Sequence, residues 1–189
     1  MPDIGRNLRR IRWVLAKCVE GGCKDIESLP YQDTDNVSDP TVLMVFLAFS
    51  PKLQALLGLV NDYCILREEK FAVWFNYPII HEFVEEVVRY LRLTYRTIKS
   101  STPVAKRRRI QNDINDPTVR FNLLLAQQKV GGVGLNLQHD MHLAALFDQT
   151  ESWEEYAQII GRQWRLGQVL EVLVFTLTVR GTYDSKRIT

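Results

Sequence analysis

A parallel β-sheet covered by helices on both faces is the fold class that this sequence predicts, and three observations point to it. Four short runs, 71–75, 121–126, 143–147 and 172–177, are almost wholly apolar and of strand length. The stretches between them carry apolar residues at helical spacing, and strands that are apolar on both faces need helices above and below. A chain of 189 residues, 46% of them hydrophobic, can bury one sizeable core but hardly two.

Residues 1–49 read as an N-terminal helix plus linker. The stretch Arg6 to Lys17 is Arg-rich and nearly free of acids, with Leu8, Ile11, Leu15 and Cys18 on one helical face and Arg9, Arg10, Arg12 and Lys17 around it. Such a helix would pack on a neighbouring domain or on the domain that follows; a mitochondrial presequence is the competing reading. Residues 19–41, with Gly21, Gly22, Pro30 and Pro40 and a polar run from Gln32 to Asp39, form the linker.

The compact domain is expected over residues 50–189. Ser50-Pro51 starts a helix, with Ser as N-cap and Pro at the first helical position, and Leu53, Leu56, Leu57 and Val60 give its apolar face as far as about Leu66. Phe71–Phe75 is a strand. Pro78 to Leu93 carries helical spacing through Ile79, Phe83, Val87 and Leu91. Thr94–Ile98 is a second strand, Pro103–Ile114 a basic helix, and Phe121–Ala126, Leu143–Phe147 and Val172–Leu177 are the remaining strands.

A net charge of +2 does not by itself announce a nucleic-acid binder, so local clusters matter more than the total. Cys18, Cys23 and Cys64 are odd in number and lack C-x-x-C spacing, which fits free thiols in a reducing compartment and no metal site. Charged residues interrupt every apolar stretch well short of the roughly 20 residues that a membrane-spanning helix needs.

The most informative segment runs from Gln158 to Gln168, at the end of a helix expected to begin near Ser152. Arg162 and Arg165, three apart, would share one helical face. Guanidinium is permanently charged, planar and a multiple donor, so the pair suits charge developing on a transferring γ-phosphoryl group. Taken alone, such a pair is more often a solvated helix face or a partner of Glu154 and Glu155. Upstream, the apolar run Leu123–Ala126 leads into Val130-Gly131-Gly132-Val133-Gly134-Leu135-Asn136-Leu137, a Gly-rich turn expected to open a helix. Glycines there allow close approach of backbone N–H groups to a phosphate.

The string Gln158-Ile159-Ile160-Gly161-Arg162-Gln163-Trp164-Arg165-Leu166-Gly167-Gln168 resembles motif VI of the Swi/Snf-type DNA-dependent ATPases of helicase superfamily two, and Gly131 to Leu137 resembles their motif V. Ser50-Pro51-Lys52-Leu53, the Lys70–Phe75 strand, Asp148 after the strand at 143–147, and Arg180-Gly181-Thr182-Tyr183-Asp184 are also similar to that family. The resemblance covers residues 50–189. The sequence departs from it at Trp164, where the family has His, at Val130, where it has Ala, and over Gln149–Trp153, where Trp-Trp-Asn-Pro is common.

The resemblance implies a RecA-like, P-loop-NTPase-type three-layer αβα lobe, the C-terminal one of two. It makes Arg162 and Arg165 arginine fingers and adds Gln158 and Gly161 to the nucleotide contacts. Gly131, Gly132, Gly134 and Asn136 become contacts to the DNA backbone, joined by Ser101 and Thr102 in the Ser/Thr loop before the basic run Lys106-Arg107-Arg108-Arg109. That run itself reads as a solvated face, and the resemblance implies a mostly structural role for a basic residue of this helix.

The sequence shows no Gly-x-x-x-x-Gly-Lys-Ser/Thr loop and no acidic pair for magnesium; Gly21-Gly22-Cys23-Lys24-Asp25 has the wrong spacing. In the family those elements lie on a first RecA-like lobe. The implied role is thus one half of an ATP site in a nuclear DNA translocase of repair or chromatin remodelling. Its partners would be double-stranded DNA, a first lobe in cis or trans, and nucleosomes, and ATP with Mg2+ would be used only with that lobe. No hydrolysis is expected from this chain alone. The alternative is a non-enzymatic DNA- or protein-binding module derived from such a lobe.

Overall fold

The computed structural model describes residues 50–132 and 135–182. The expected N-terminal helix and linker, Cys18, Cys23, Val133, Gly134, Tyr183 and Asp184 lie outside the described residues.

Ser50 caps the first helix as its sequence predicts, its hydroxyl accepting from the Leu53 amide at 3.3 Å, with Pro51 at the first position. Helix α1 (Pro51–Leu59) continues directly into a π-helical segment, Val60–Leu66. The chain then forms β1 (Phe71–Phe75), α2 (Pro78–Tyr90), β2 (Tyr95–Ile98), α3 (Val104–Asn115) and β3 (Leu123–Gln127). A 3-10 turn, Gln128–Gly132, precedes β4 (Leu143–Leu146), α4 (Trp153–Ile160) and β5 (Leu173–Thr176). All pairings are parallel, in the order β2-β3-β1-β4-β5. Each expected strand is present, most of them trimmed at an end; Phe121 instead lies beside the sheet with the cations of Lys70 and Arg96 5.1 and 5.3 Å from its ring centre.

The pleat sorts β1 between two cores. Phe71, Val73 and Phe75 meet α1, the π segment and α2; Ala72 and Trp74 meet α3, α4 and the loop carrying Leu135, Leu137 and Met141. Three layers result, as burial on both sheet faces requires.

At the amino ends of the strands Lys70 is the tie. Its ammonium donates to the carbonyls of Ile114 (2.9 Å) and Asp116 (3.1 Å), closing the end of α3, and meets Asp140 at 2.6 Å. Asn122 plays the same part nearby: its side-chain oxygen accepts from the Thr94 amide and hydroxyl, and its amide donates to the Cys64 carbonyl. The Cys64 thiol is buried, and burial pushes its proton affinity up, which makes it inert. Among the described residues no helix is long and apolar enough to cross a membrane.

The sequence-predicted face of α2 is correct except at its start. Val87 and Leu91 are buried and Phe83 packs on the core, but Ile79 is 70% exposed, and the helix also buries His81, Val84, Glu85 and Val88. Two of these are polar, and each finds its partner on β2. His81 Nε2 shares a 2.9 Å hydrogen bond with the Thr97 hydroxyl and its ring stacks on Phe75. Glu85 accepts from the Tyr95 hydroxyl at 3.2 Å and pairs with Lys99 at 3.0 Å. Burial alone would raise the Glu85 carboxyl; Lys99 and Tyr95 outweigh it and hold it below the usual carboxylate range.

Burial pulls His81 down to about 4, with Glu85 opposing and Lys99 assisting. The unfolded chain therefore binds more protons than the native one between the ordinary histidine value and about 4, so this contribution is complete near neutrality and is lost as pH falls through that window. We expect roughly 2 kcal/mol to disappear over it. Denaturant midpoints measured across that range should drop less steeply for His81→Gln than for the unmodified chain; identical slopes would remove His81 as the cause.

Candidate functional site

Two groups of the sequence-predicted residues come together, at different places. The first lies on the carboxyl rim of the sheet. Gln127, the last residue of β3, is buried, and its side-chain oxygen accepts from the Ser100 amide at 2.8 Å. This bond ties the Ser100–Thr102 loop to the end of β3, from which the chain continues directly into the 3-10 turn that carries Gly131 and Gly132. The loop is built locally: the Thr102 hydroxyl accepts from the Lys99 amide at 2.9 Å, and Arg107 donates to the carbonyls of Lys99, Ser100 and Thr102. Ser101 is left exposed, whereas Thr102 is half-buried with its oxygen engaged in holding the loop. Arg107 thus serves as a cap, the structural role that the family resemblance implies for a basic residue of this helix, while Lys106, Arg108 and Arg109 stay exposed.

On the same rim, at the carboxyl ends of β1 and β4, Asp148 is buried. Its carboxylate accepts from the amides of Asn76 (3.2 Å) and Tyr77 (3.4 Å), the entry to α2, and its carbonyl accepts from Gln128 at 2.9 Å. Lys129 pairs with Glu151 at 3.2 Å. The order β2-β3-β1-β4-β5 makes β1 and β4 the strands from which connections leave in opposite directions, the position at which open parallel sheets offer a ligand crevice.

The second group gathers the arginines. Helix α4 starts where the sequence places it, with the Ser152 hydroxyl accepting from the Glu155 amide, but it stops at Ile160 with Gly161 as its cap. Arg162 and Arg165 consequently lie in the turns beyond the helix and do not share a helical face, contrary to expectation. The reason is tertiary bonding: the Arg162 carbonyl accepts from the Leu137 amide at 3.0 Å, and the buried Gln163 side chain donates to the Leu143 carbonyl at 3.0 Å. These contacts pull the chain out of helical register. A methyl group on Gly161 would sit 3.0 Å from the Ala157 carbonyl, so this cap is tight.

The two arginines differ. Arg162 is 4% exposed, with its guanidinium 5.4 Å from the centre of the Trp74 ring. Burial first, and the Arg165 charge second, lower its proton affinity, and it stays charged at neutral pH. Arg165 is exposed; its Nε donates to the Gly161 carbonyl at 2.6 Å and its Nη1 to the Asn136 side-chain oxygen. Asn136 therefore sits with the arginines, although the sequence groups it with the DNA contacts. Gln158 is exposed on α4, one turn before. The helix expected after the glycines is absent from the described residues 135–137, where the chain is irregular and Leu135 and Leu137 fill the core below α3 and α4.

Trp74, Gln163 and Asp148 position the site, and of these only Asp148 was singled out from the sequence. The parity of β1 could have flagged Trp74, since its even positions face the arginine side. Nothing local marks Gln163 as an anchor. Among the described residues no three His, Cys, Asp or Glu side chains are grouped to hold a metal ion. The donor set consists of cations and amides, which fits phosphate oxygens and not magnesium.

Comparison with known proteins shows the family to which the chain is related. The helicase conserved C-terminal domain profile matches residues 51–167. DNA repair and recombination protein RAD54B of Homo sapiens is 33% identical over 138 residues, 72% of this chain and 15% of that protein. Protein CHROMATIN REMODELING 25 of Arabidopsis thaliana is 28% identical over 141 residues, 75% of this chain and 15% of that protein. The chain thus spans about 15% of the length of these relatives. The C-terminal part of the Fun30 ATPase domain superposes with a TM-score of 0.68 at 24% identity, covering 73% of this chain and 44% of that one. The Hef helicase domain of Pyrococcus furiosus gives 0.58 at 16% identity, covering 94% and 36%. The three layers are those of a RecA-like lobe.

Gln163→Leu keeps the volume but leaves the Leu143 carbonyl short of a donor, and should cost about 1–2 kcal/mol. Arg165→Ala, at an exposed site, should cost under about 1 kcal/mol. Denaturation midpoints falling in the opposite order would contradict the assignment of Gln163 as the anchor of this turn.

Proposed function

Because the chain belongs to the helicase conserved C-terminal domain family, as the C-terminal lobe of a Swi/Snf-type ATPase, we propose that it supplies the arginine half of an ATP site and a DNA-backbone surface to a translocase of the repair and chromatin-remodelling kind. The whole protein would act on double-stranded DNA, including nucleosomal DNA, in the nucleus. The phosphate-cradling loop and the magnesium carboxylates would come from a first RecA-like lobe.

The observation that carries this reading is the pairing of a fixed arginine with a presented one. Arg162 is clamped on Trp74 within the turn anchored by Gln163, and Arg165 stands exposed beside it. A preorganised cation needs no reorganisation as charge builds on the equatorial oxygens of the transferring phosphoryl group, and a planar donor fork can reach two of them. Arg165 must exchange its bonds to Asn136 and Gly161 for phosphate oxygens, which makes it the finger that moves. Gln158 and Gly161 would border the nucleotide on the α4 side. ATP with Mg2+, once assembled on the other lobe, supplies the reacting phosphoryl group; this chain's residues orient and neutralise it.

DNA would lie along the carboxyl rim. Ser101, Gly131 and Gly132 would offer hydroxyl and backbone groups there, with Gly134 next in the same motif, while Thr102 holds the loop. Such contacts position a duplex without reading its sequence. The bond from Arg165 to Asn136 links the nucleotide side to the motif that approaches the rim, a direct route for coupling the two.

Purified chain should bind duplex DNA with a marked salt dependence and hydrolyse no ATP above background, with or without DNA. Turnover abolished by Arg165→Ala would defeat the half-site reading. In a protein carrying both lobes, Arg162→Ala or Arg165→Ala should lower kcat by roughly a thousandfold while leaving DNA affinity unchanged. A loss confined to DNA affinity would assign the arginines to DNA instead.

A further inference from the structure

We propose that the groove along the free edge of β2 accepts an extended, acidic segment of a partner protein as an added sixth strand. The site is at the opposite end of the sheet from β5 and independent of the ATP-site reading.

Among the described residues, strand β2 is hydrogen-bonded to β3 alone. The amides of Asn122 and Leu123 donate to the Thr94 carbonyl, so Thr94 and, by alternation, Arg96 direct their backbone groups toward β3. Tyr95 and Thr97 therefore direct theirs to the open side, where the Tyr95 carbonyl meets only Arg96 Nη1 at 3.2 Å among the described residues. A groove of about 780 Å³ covers this edge, walled by Glu85 of α2 on one side and by Lys106, Arg109, Ile110 and Asp113 of α3 on the other. An exposed edge between two helices is the setting in which an extended peptide adds a strand.

The charges choose the occupant. Glu85 is already matched by Lys99 and Tyr95, and Asp113 by Arg96 at 2.8 Å. Lys106 and Arg109 are exposed and make no ion pair or side-chain hydrogen bond among the described residues. Standing i and i+3 on α3, they face the groove together. Side chains of an added strand alternate between the two walls. Acidic residues at every second position would thus meet Lys106 and Arg109, and the intervening positions would pack on Tyr95 beside Glu85, where another carboxylate is unfavourable. A polyphosphate, charged toward both walls, fits less well.

The test uses the full chain and a short labelled peptide alternating Asp with Val, read by fluorescence anisotropy. Saturable binding is expected. The double variant Lys106→Glu, Arg109→Glu should weaken it by about tenfold or more with an unchanged thermal midpoint, whereas Arg108→Glu, on the same run but outside the groove, should not. Replacing Asp by Asn, or methylating alternate backbone nitrogens of the peptide, should each abolish binding. Equal affinity for the methylated peptide, or an equal loss with Arg108→Glu, would overturn strand addition in favour of unspecific attraction. Displacement by a short DNA duplex that depends on Lys106 and Arg109 would assign the groove to nucleic acid. Tighter peptide binding by the Asp33→Asn, Asp35→Asn variant would show that the occupant is this chain's own polar run 32–39, which carries Asp33 and Asp35, and not a partner.

Discussion

Strand β1 has no side chain that reaches water, and the rest of the lobe is arranged around that constraint. A strand at the middle of a parallel sheet must be covered above and below, because each exposed apolar face would forfeit its burial free energy, on the order of 25 cal/mol per Å2. Phe71, Val73 and Phe75 recruit α1 and α2; Trp74 recruits α3, α4 and the loop through Leu137. The second face is also the one on which Arg162 rests. A single residue of the central strand therefore belongs both to the core and to the floor of the arginine cluster.

The edges of the sheet are held by polar side chains that close backbone accounts. A buried amide or carbonyl without a partner costs about as much as a whole hydrogen bond contributes. Lys70 and Asn122 meet that demand at the amino ends, Gln127 and Asp148 at the carboxyl ends. At the carboxyl rim this accounting does double duty: the same bonds that satisfy the Ser100, Asn76 and Tyr77 amides bring the Ser/Thr loop, the entry to α2 and the glycine turn next to one another. The rim proposed to take DNA is thus built by the chain ends of four neighbouring strands, not by any one motif.

Basic residues illustrate how context divides identical chemistry. In the run 106–109, Arg107 turns inward to cap three carbonyls, while its neighbours stay in water and two of them line the β2 groove. The motif VI arginines are divided as sharply. Arg162 exchanges hydration for the face of an indole, which fixes it, and Arg165 keeps its exposure, which leaves it available.

The sequence by itself determined the fold class, the five strands, the Ser50 cap, the start of α4 near Ser152 and the two motifs, because hydrophobic period and cap chemistry are local properties that the folded environment only reinforces. It misplaced Ile79 of α2, which points to water, and did not foresee the burial of His81 and Glu85; their partners Thr97 and Tyr95 on β2 and Lys99 just after it are distant along the chain, and no local period records a partner across the fold. It also carried α4 too far. A spacing of three places two arginines on one face only while the helix lasts, and α4 is stopped by bonds from Leu137 and to Leu143 that exist only after β4 and the preceding loop have packed. Which arginine is held and which is presented, and which lysine and arginine of the basic run share a groove, were decided by those long-range contacts alone.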